Sequence, residues 1–534
     1  MSAAQRWARR VVFGLAASWV VLLMACFAAR IWFPLELEWM EGGALHQALR
    51  LQQGLPIYPA PSAEFVPFLY TPLYPALLAA LGLVFPLDYA LGRLVSVLAV
   101  AAVGAGLWRL VGREGKPRAH QAAAVGLWCA GYVFAFRWYD VARADSLFLA
   151  LLLWGLVLLR DAAGRPRRAA LAGLLVALAF WTKQTAALFV LASGLAALWV
   201  APRELLWYAG TIAAVDGGGV LVGQRLTDGH LWRYIYELHQ AHGFNHARLY
   251  RKTWGMFVHA APFLAVLLAG LAAARLRGIW ARRGAAVPGD MVEGAGPQGQ
   301  VRRDRRVGAA YWGLMAAAGL LVSALGYSTQ WAEPNAFMPG VCFAAAFLAV
   351  ALPVGRGEAA ALGLVAAQLV FALALEPRYQ PIQDRGWAGL ADSYAWQDPA
   401  RTLPDEALRA RARTLRAELV TQQGPVLAPH RPWWSVLAGG PGHIGVMSLH
   451  DIPAALQRPI QRELVEAVAA GHYVAIYLDG DAPAWLRPAL QRRYRLARTW
   501  EGAARVLPMT GYMSAAGMVT PWRGPQLLYV PRTP

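Results

Sequence analysis

Apolar residues in this chain come in long blocks separated by short polar stretches. A helix needs about 20 apolar residues to cross the hydrocarbon core of a bilayer. Val11 to Ala29 is the first such block. Its apolar core exceeds the ~7–15 residues of a cleavable signal peptide, so it reads as a retained anchor. Further blocks lie at about 88–111, 121–137, 146–160, 168–182, 185–201, 205–224, 254–275, 307–326, 337–353 and 359–376. Leu73 to Phe85 is apolar but short, at the length of a re-entrant or interfacial element. Beyond Glu376 the polarity is ordinary. Val426 to Ala428 and Tyr473 to Leu478 read there as strands, alternating with helix-like stretches at Gln461 to Ala470 and Ala482 to Gln491. The pattern predicts a polytopic α-helical membrane protein over residues 1–376, with about eleven spans plus a re-entrant or juxtamembrane helix. A C-terminal extracytoplasmic α/β domain over 377–534 follows.

Charge fixes the direction. If Leu73 to Phe85 does not cross, one set of loops collects Arg109, Arg113, Lys116 and Arg118, then Arg160, Arg165, Arg167 and Arg168. The same side receives Arg275, Arg277, Arg282, Arg283, Arg302, Arg303, Arg305 and Arg306. Basic loops stay on the cytoplasmic side. The N-terminus is therefore expected inside and everything after Glu376 outside. Composition agrees: 57% of residues are hydrophobic and 15% charged, where a soluble chain carries about a quarter charged. The net charge of +19 is largely loop arginine, so it is no nucleic-acid signature. Cys26, Cys129 and Cys342 all lie in apolar stretches and read as packing residues rather than as disulfides or a zinc site.

The outer loops differ in kind from the inner ones. The first carries Glu36, Glu38, Trp39, Met40, Glu41 and Gly42. Glu38 and Glu41, three apart, share a face if helical, and a carboxylate within hydrogen-bond reach can deprotonate a hydroxyl. An exposed acidic turn is the plainer reading. The second outer loop packs Arg137, Asp140, Arg143 and Asp145 between two apolar blocks. Charges at membrane depth are costly and are kept for function or mutual pairing. Lys183 interrupts an apolar hairpin at its outer turn, where an ammonium suits a phosphate or snorkels to the interface. His239, His242 and His246 share a spacing that suits one helical face, for phosphate, sugar or metal contact or as part of a solvated helix. Asp216 sits inside a span, and Glu333 is the acid of the last outer loop. Trp433 and Trp434 suit either sugar stacking or a core. No phosphate-cradling GxxxxGK[ST] loop is present, which argues against ATP-driven work.

These residues resemble a known class. Glu38-Trp39-Met40-Glu41-Gly42, Gly54-Leu55-Pro56-Ile57-Tyr58 and Thr71-Pro72-Leu73-Tyr74-Pro75 occur in order in the first outer loop. Gly92-Arg93-Leu94, Arg143-Ala144-Asp145-Ser146, Thr182-Lys183-Gln184-Thr185 and Pro334-Asn335-Ala336-Phe337-Met338-Pro339 follow. Over about residues 5–376 this order is similar to the GT-C-fold, polyprenyl-phosphate-sugar-dependent membrane glycosyltransferases, the group related to protein O-mannosyltransferases and aminoarabinose transferases. The resemblance implies an inverting transferase at the outer face of the bacterial cytoplasmic membrane. Its donor would be a polyprenyl-phosphate-linked sugar and its acceptor a hydroxyl of a glycan, lipid or protein. A first-loop carboxylate would act as base. Many members have an Asp-Glu pair there, and alignment puts Met40 where that Asp would stand. The base then falls to Glu41, which is preferred, or to Glu38, or is missing. Arg143, Lys183, His239 and His242 are the donor-phosphate candidates. Asp140, Asp145 and Glu333 are candidates for orienting the acceptor or a divalent metal, with no metal ligand set assigned. Two other readings use the same residues: a transporter or flippase of lipid-linked sugars, and a non-catalytic membrane subunit.

Overall fold

The computed structural model describes all residues except 285–296, 331, 375, 378–390, 394–401, 502–505, 507–508, 511–523 and 533–534. Helices follow the apolar blocks. They are α1 (Ala3–Ile31), α2 (Glu41–Gln52), α3 (Leu73–Leu81), α4 (Tyr89–Arg113), α5 (Arg118–Phe134), α6 (Ala144–Arg160), α7 (Pro166–Thr182), α8 (Ala187–Val200), α9 (Leu205–Ile212) and α10 (Gly218–Leu226). Later come Thr253–Ala260, Pro262–Gly284, Pro297–Tyr327, Met338–Ala351 and Glu358–Ala374. Local chemistry sets the ends. Ser2 and Gln5 form a reciprocal capping box at the start of α1. Asp88 caps α4 by accepting from the Tyr89 amide. Pro166 opens α7, where its missing N–H costs nothing.

Among the described residues, five helices are long and apolar enough to cross a membrane: Ala3–Ile31, Tyr89–Arg113, Pro202–Leu226, Arg306–Tyr327 and Pro334–Ala351. A sixth is added if Arg248–Ala260 and Pro262–Arg275, bent by 99°, form one broken span. Pro262 accounts for the break: it donates no hydrogen bond and disfavours helical backbone in the residue before it. The eleven apolar blocks exceed this number because α5, α6 and α7 have 17 residues each and the apolar helices Gln184–Val200 and Glu358–Leu373 are no longer than that, about 25 Å of helix against a core of about 30 Å. The helix α3 has nine residues, about 14 Å, and cannot cross by itself.

Small residues let the helices close up. A Cβ on Gly126 of α5 would stand 2.8 Å from the Ala16 Cβ of α1. One on Gly173 of α7 would collide with the Tyr208 carbonyl oxygen of α9. The span Pro202–Leu226 carries a π-helical turn at Ala213–Gly217 that contains Asp216, and the Trp181 indole donates to the Val215 carbonyl beside it.

The C-terminal part holds a four-stranded sheet in the order Val426–Leu427, Ala475–Leu478, Leu527–Pro531, Tyr494–Thr499. The first pair is parallel and the other two antiparallel. Side chains alternate across it, as the pleat requires. Ile476 and Leu478 pack in one cluster with Ile460, Leu464 and Val468 of the helix Ala454–Ala470. Ala475 and Tyr477 pack in another with Ala412, Leu415 and Leu419 of the helix Glu406–Val420. The expected domain boundary at 376 falls beside residues outside the described set.

The sheet region is tied to the first loop by buried polar contacts. Glu36 accepts from the Tyr89 hydroxyl (2.5 Å), the Trp434 indole (2.9 Å) and Arg431 (3.5 Å). The Leu37 carbonyl accepts from the amides of Met509 and Thr510, both at 2.9 Å. Trp433 and Trp434 are buried, so they act as packing residues and present no face for a sugar ring.

Candidate active site

Arg93, in the first turns of α4, organises the first loop. Its guanidinium is fully buried and donates to the carbonyls of Phe33 (2.6 Å) and Leu35 (2.6 Å). It also holds Glu41 with two bonds, Nε to Oε1 at 2.9 Å and Nη2 to Oε2 at 2.7 Å. Glu41 Oε1 accepts in addition from the Ala142 amide (2.7 Å), and Oε2 from the Leu37 amide (2.7 Å). Both its oxygens are therefore occupied.

Glu38 is buried as completely but is bonded on one side only. Its Oε2 accepts from Arg143 Nη1 and from the Met40 amide, both at 3.1 Å. Its Oε1 is buried with no hydrogen-bond partner. Burial pushes the Glu38 carboxyl up to about 7; Arg143 works against the rise, and Glu41 adds to it.

Arg143 is the residue just before α6, and Asp145 lies in its first turn, where helix polarity favours an acid. Phe136 and Arg137, in the turn between α5 and α6, have φ of 51° and 63°. That strained reversal brings the charged loop back over the helix ends. Arg143 Nη2 donates to the Tyr70 hydroxyl (2.9 Å), and the guanidinium lies over the Tyr70 and Trp138 rings. Asp145 accepts from Lys183, from the Asn335 amide (2.9 Å) and from the Trp138 indole (3.0 Å). Lys183 ends α7 and sits over the Tyr70 ring. Four elements distant in sequence thus converge on one point.

They converge on a cavity of about 420 Å³. Arg143, Asp145, Lys183, His239, His242 and Glu333 all line it, as do Tyr70, Trp138 and Met40. Phe148, Leu188, Val322 and Leu325 supply an apolar wall, and Asp451 reaches it from the C-terminal part. Neither Glu38 nor Glu41 lines the cavity; Met40 does, between them in sequence. Asp140 is also elsewhere. It is a fully buried partner of Arg30 (2.6 Å) and accepts from the Tyr132 hydroxyl (3.0 Å). His239 Nε2 lies 2.7 Å from the Leu69 carbonyl and 2.6 Å from the Gln184 amide nitrogen, and its imidazole is held below its ordinary range by burial. The His239 and His242 rings meet edge to face at 5.7 Å. His246 is exposed and lies beyond the helical turn Leu238–Gln240, so the three histidines do not share a face. Among the described residues no group of three or more His, Cys, Asp or Glu side chains is placed to hold a metal ion. Sequence reasoning missed Tyr70 and Asn335 as individual contacts, although Asn335 stands in a motif that carries the family resemblance and Tyr70 immediately precedes one. It missed Asp451 altogether.

Neither a family model nor a curated protein matches the sequence. Solved structures do match. ArnT from Cupriavidus metallidurans in the apo state superposes with a TM-score of 0.54 at 12% identity, over 96% of this chain and 98% of that one. This protein has an ArnT-like fold. ArnT bound to undecaprenyl phosphate gives a TM-score of 0.44 at 14% identity, over 88% of this chain and 85% of that one. At such identities the likeness speaks for the fold.

Proposed function

We propose that the protein is a membrane glycosyltransferase. It moves a sugar from a polyprenyl-phosphate donor to an acceptor hydroxyl, with inversion, at the outer face of a bacterial cytoplasmic membrane. The carrying observation is the pairing of Arg143 and Lys183 on the wall of one cavity that also has an apolar side. An ammonium has three N–H donors. Asp145 takes one of those of Lys183, which leaves donors for a phosphate oxygen. Phe148, Leu188, Val322 and Leu325 suit an isoprenoid chain beside that phosphate. The ArnT-like fold, positive loops inside, about eleven membrane crossings and an outer domain after residue 376 complete the reading.

Of the two first-loop carboxylates, Glu38 has chemistry left. Glu41 is saturated by five donors, whereas Glu38 keeps one oxygen free and a proton affinity near neutrality. Those are the properties of a general base. Because Glu38 is fully buried, catalysis requires that ligand binding open it to the cavity past Met40. The hydroxyl proton then passes to Glu38, and the acceptor oxygen bonds to the anomeric carbon. The bond from that carbon to the phosphate oxygen breaks, and the polyprenyl phosphate leaves with its new charge facing Arg143 and Lys183. Asp145 fixes Lys183 in place.

A second reading, binding or translocation of a lipid-linked sugar without transfer, draws on Met40 rather than a first-loop carboxylate lining the cavity. Reconstituted protein with a labelled polyprenyl-phosphate sugar separates the two. Transfer to an acceptor supports the enzyme; labelled lipid crossing the vesicle with no product supports transport.

A further inference from the structure

The wall of the cavity continues past the two cations. Lys183 is followed by Gln184, whose amide touches His239, whose ring meets His242. At the end of this row His242 Nε2 faces Asp451 Oδ1 at 3.4 Å. Both atoms are buried, and neither has a hydrogen-bond partner. Both residues line the cavity.

The two atoms form an ion pair if the imidazole is protonated, yet neither makes a hydrogen bond, and buried polar atoms without one cost free energy. Here they are chemically complementary. A neutral imidazole with its proton on Nε2 donates, and a carboxylate accepts. A hydroxyl group does both, so one hydroxyl satisfies the pair by accepting from His242 and donating to Asp451. Asp451 is held in place: it follows the short helix Val446–His450 and is flanked by the buried Leu449 and Ile452.

We propose that His242 and Asp451 bind a hydroxyl of a polyhydroxylated acceptor, a glycan or glycolipid rather than a peptide side chain. The inference rests on the transferase reading for the word acceptor. The donor sugar, one bond from its phosphate, belongs next to Lys183 and Arg143. The pair lies beyond Gln184 and His239, where the second substrate has its place. Asp451 comes from the C-terminal part of the chain, so that part shares in acceptor choice.

Binding of a panel of methyl glycosides and of undecaprenyl phosphate to the purified full chain tests this. D451N and H242Q are each expected to weaken the best-bound glycoside about tenfold, with undecaprenyl phosphate changed less than about twofold. The two variants lie on different elements, so either one alone decides the matter if the other fails to fold. Glycoside binding equal to the parent in both overturns the proposal. So does a parent that binds none of the panel, or an equal loss of undecaprenyl phosphate, which would assign the pair to the donor end. Donor consumption followed on the same samples keeps the two readings apart. A parent that binds glycosides through this pair yet never consumes a polyprenyl-phosphate sugar sinks the transferase reading and leaves the hydroxyl site standing.

Discussion

Arg93 and Glu41 face each other fully buried, joined by two hydrogen bonds of 2.9 and 2.7 Å. Around them the backbone of residues 31–37 is gathered by further bonds from both side chains. A buried pair of this kind adds little net stability, but breaking it strands a charge at a cost of about 3–5 kcal/mol. Arg93→Met and Glu41→Ala should therefore lower the unfolding temperature in detergent strongly, as thermal unfolding will show. A Glu41→Gln protein that stays as stable as the parent yet loses all transfer would instead make Glu41 the base.

Glu38 gives a pH dependence with a definite sign. Its carboxyl rises from 4.5 to about 7 in the folded protein, so the native state holds its proton more tightly than the unfolded chain. Between those two values stability falls as pH rises, because the folded protein binds more protons there. Transfer, which needs the ionised base, should rise with pH through about 7. Glu38→Gln should abolish that limb of the pH profile and the activity with it, and should flatten the stability curve over the same window.

How much of this was legible in the sequence depends on the kind of contact. The apolar blocks announced the helices, and the cost of charge at membrane depth singled out Arg143, Asp145 and Lys183, which do meet on one cavity. The division of labour between Glu38 and Glu41 was not legible. It depends on Arg93, which stands 52 residues beyond Glu41 and reads locally as the start of a span. Asp140 looked like Asp145 in the same loop, but the backbone reversal at Phe136 and Arg137 sends it to Arg30 instead. Trp433 and Trp434 suited either a core or a sugar platform in the sequence; their burial comes from docking on the first loop, Trp434 on Glu36 and Trp433 beside Gly42. His242 and Asp451 are joined only by tertiary structure, which no local pattern reveals.

Lys183 and Asp145 should behave as a unit. Lys183→Gln removes a donor to the phosphate and strands Asp145, so donor affinity should drop at least about tenfold and stability should drop as well. The double variant Lys183→Gln, Asp145→Asn should recover stability without recovering donor binding. Titration with a labelled polyprenyl phosphate, paired with thermal unfolding, separates the two effects. Recovery of both would make the pair purely structural.

Orientation is open to labelling. Cys26, Cys129 and Cys342 are buried, so background reaction with an impermeant thiol reagent should be low. Cysteine placed at His472, which is exposed in the C-terminal part, should react from the outside of intact cells. Cysteine at the exposed Arg165 should react only after permeabilisation. The reverse result would invert the assignment of α3 as a non-crossing helix.

Transfer itself is the most direct measurement. Purified protein is given a labelled polyprenyl-phosphate sugar and a panel of hydroxyl acceptors, and the product's anomeric configuration is read. The expected result is an inverted glycoside formed by the parent and lost in Glu38→Gln. Equal turnover by Glu38→Gln, or a product of retained configuration, would contradict the proposed chemistry.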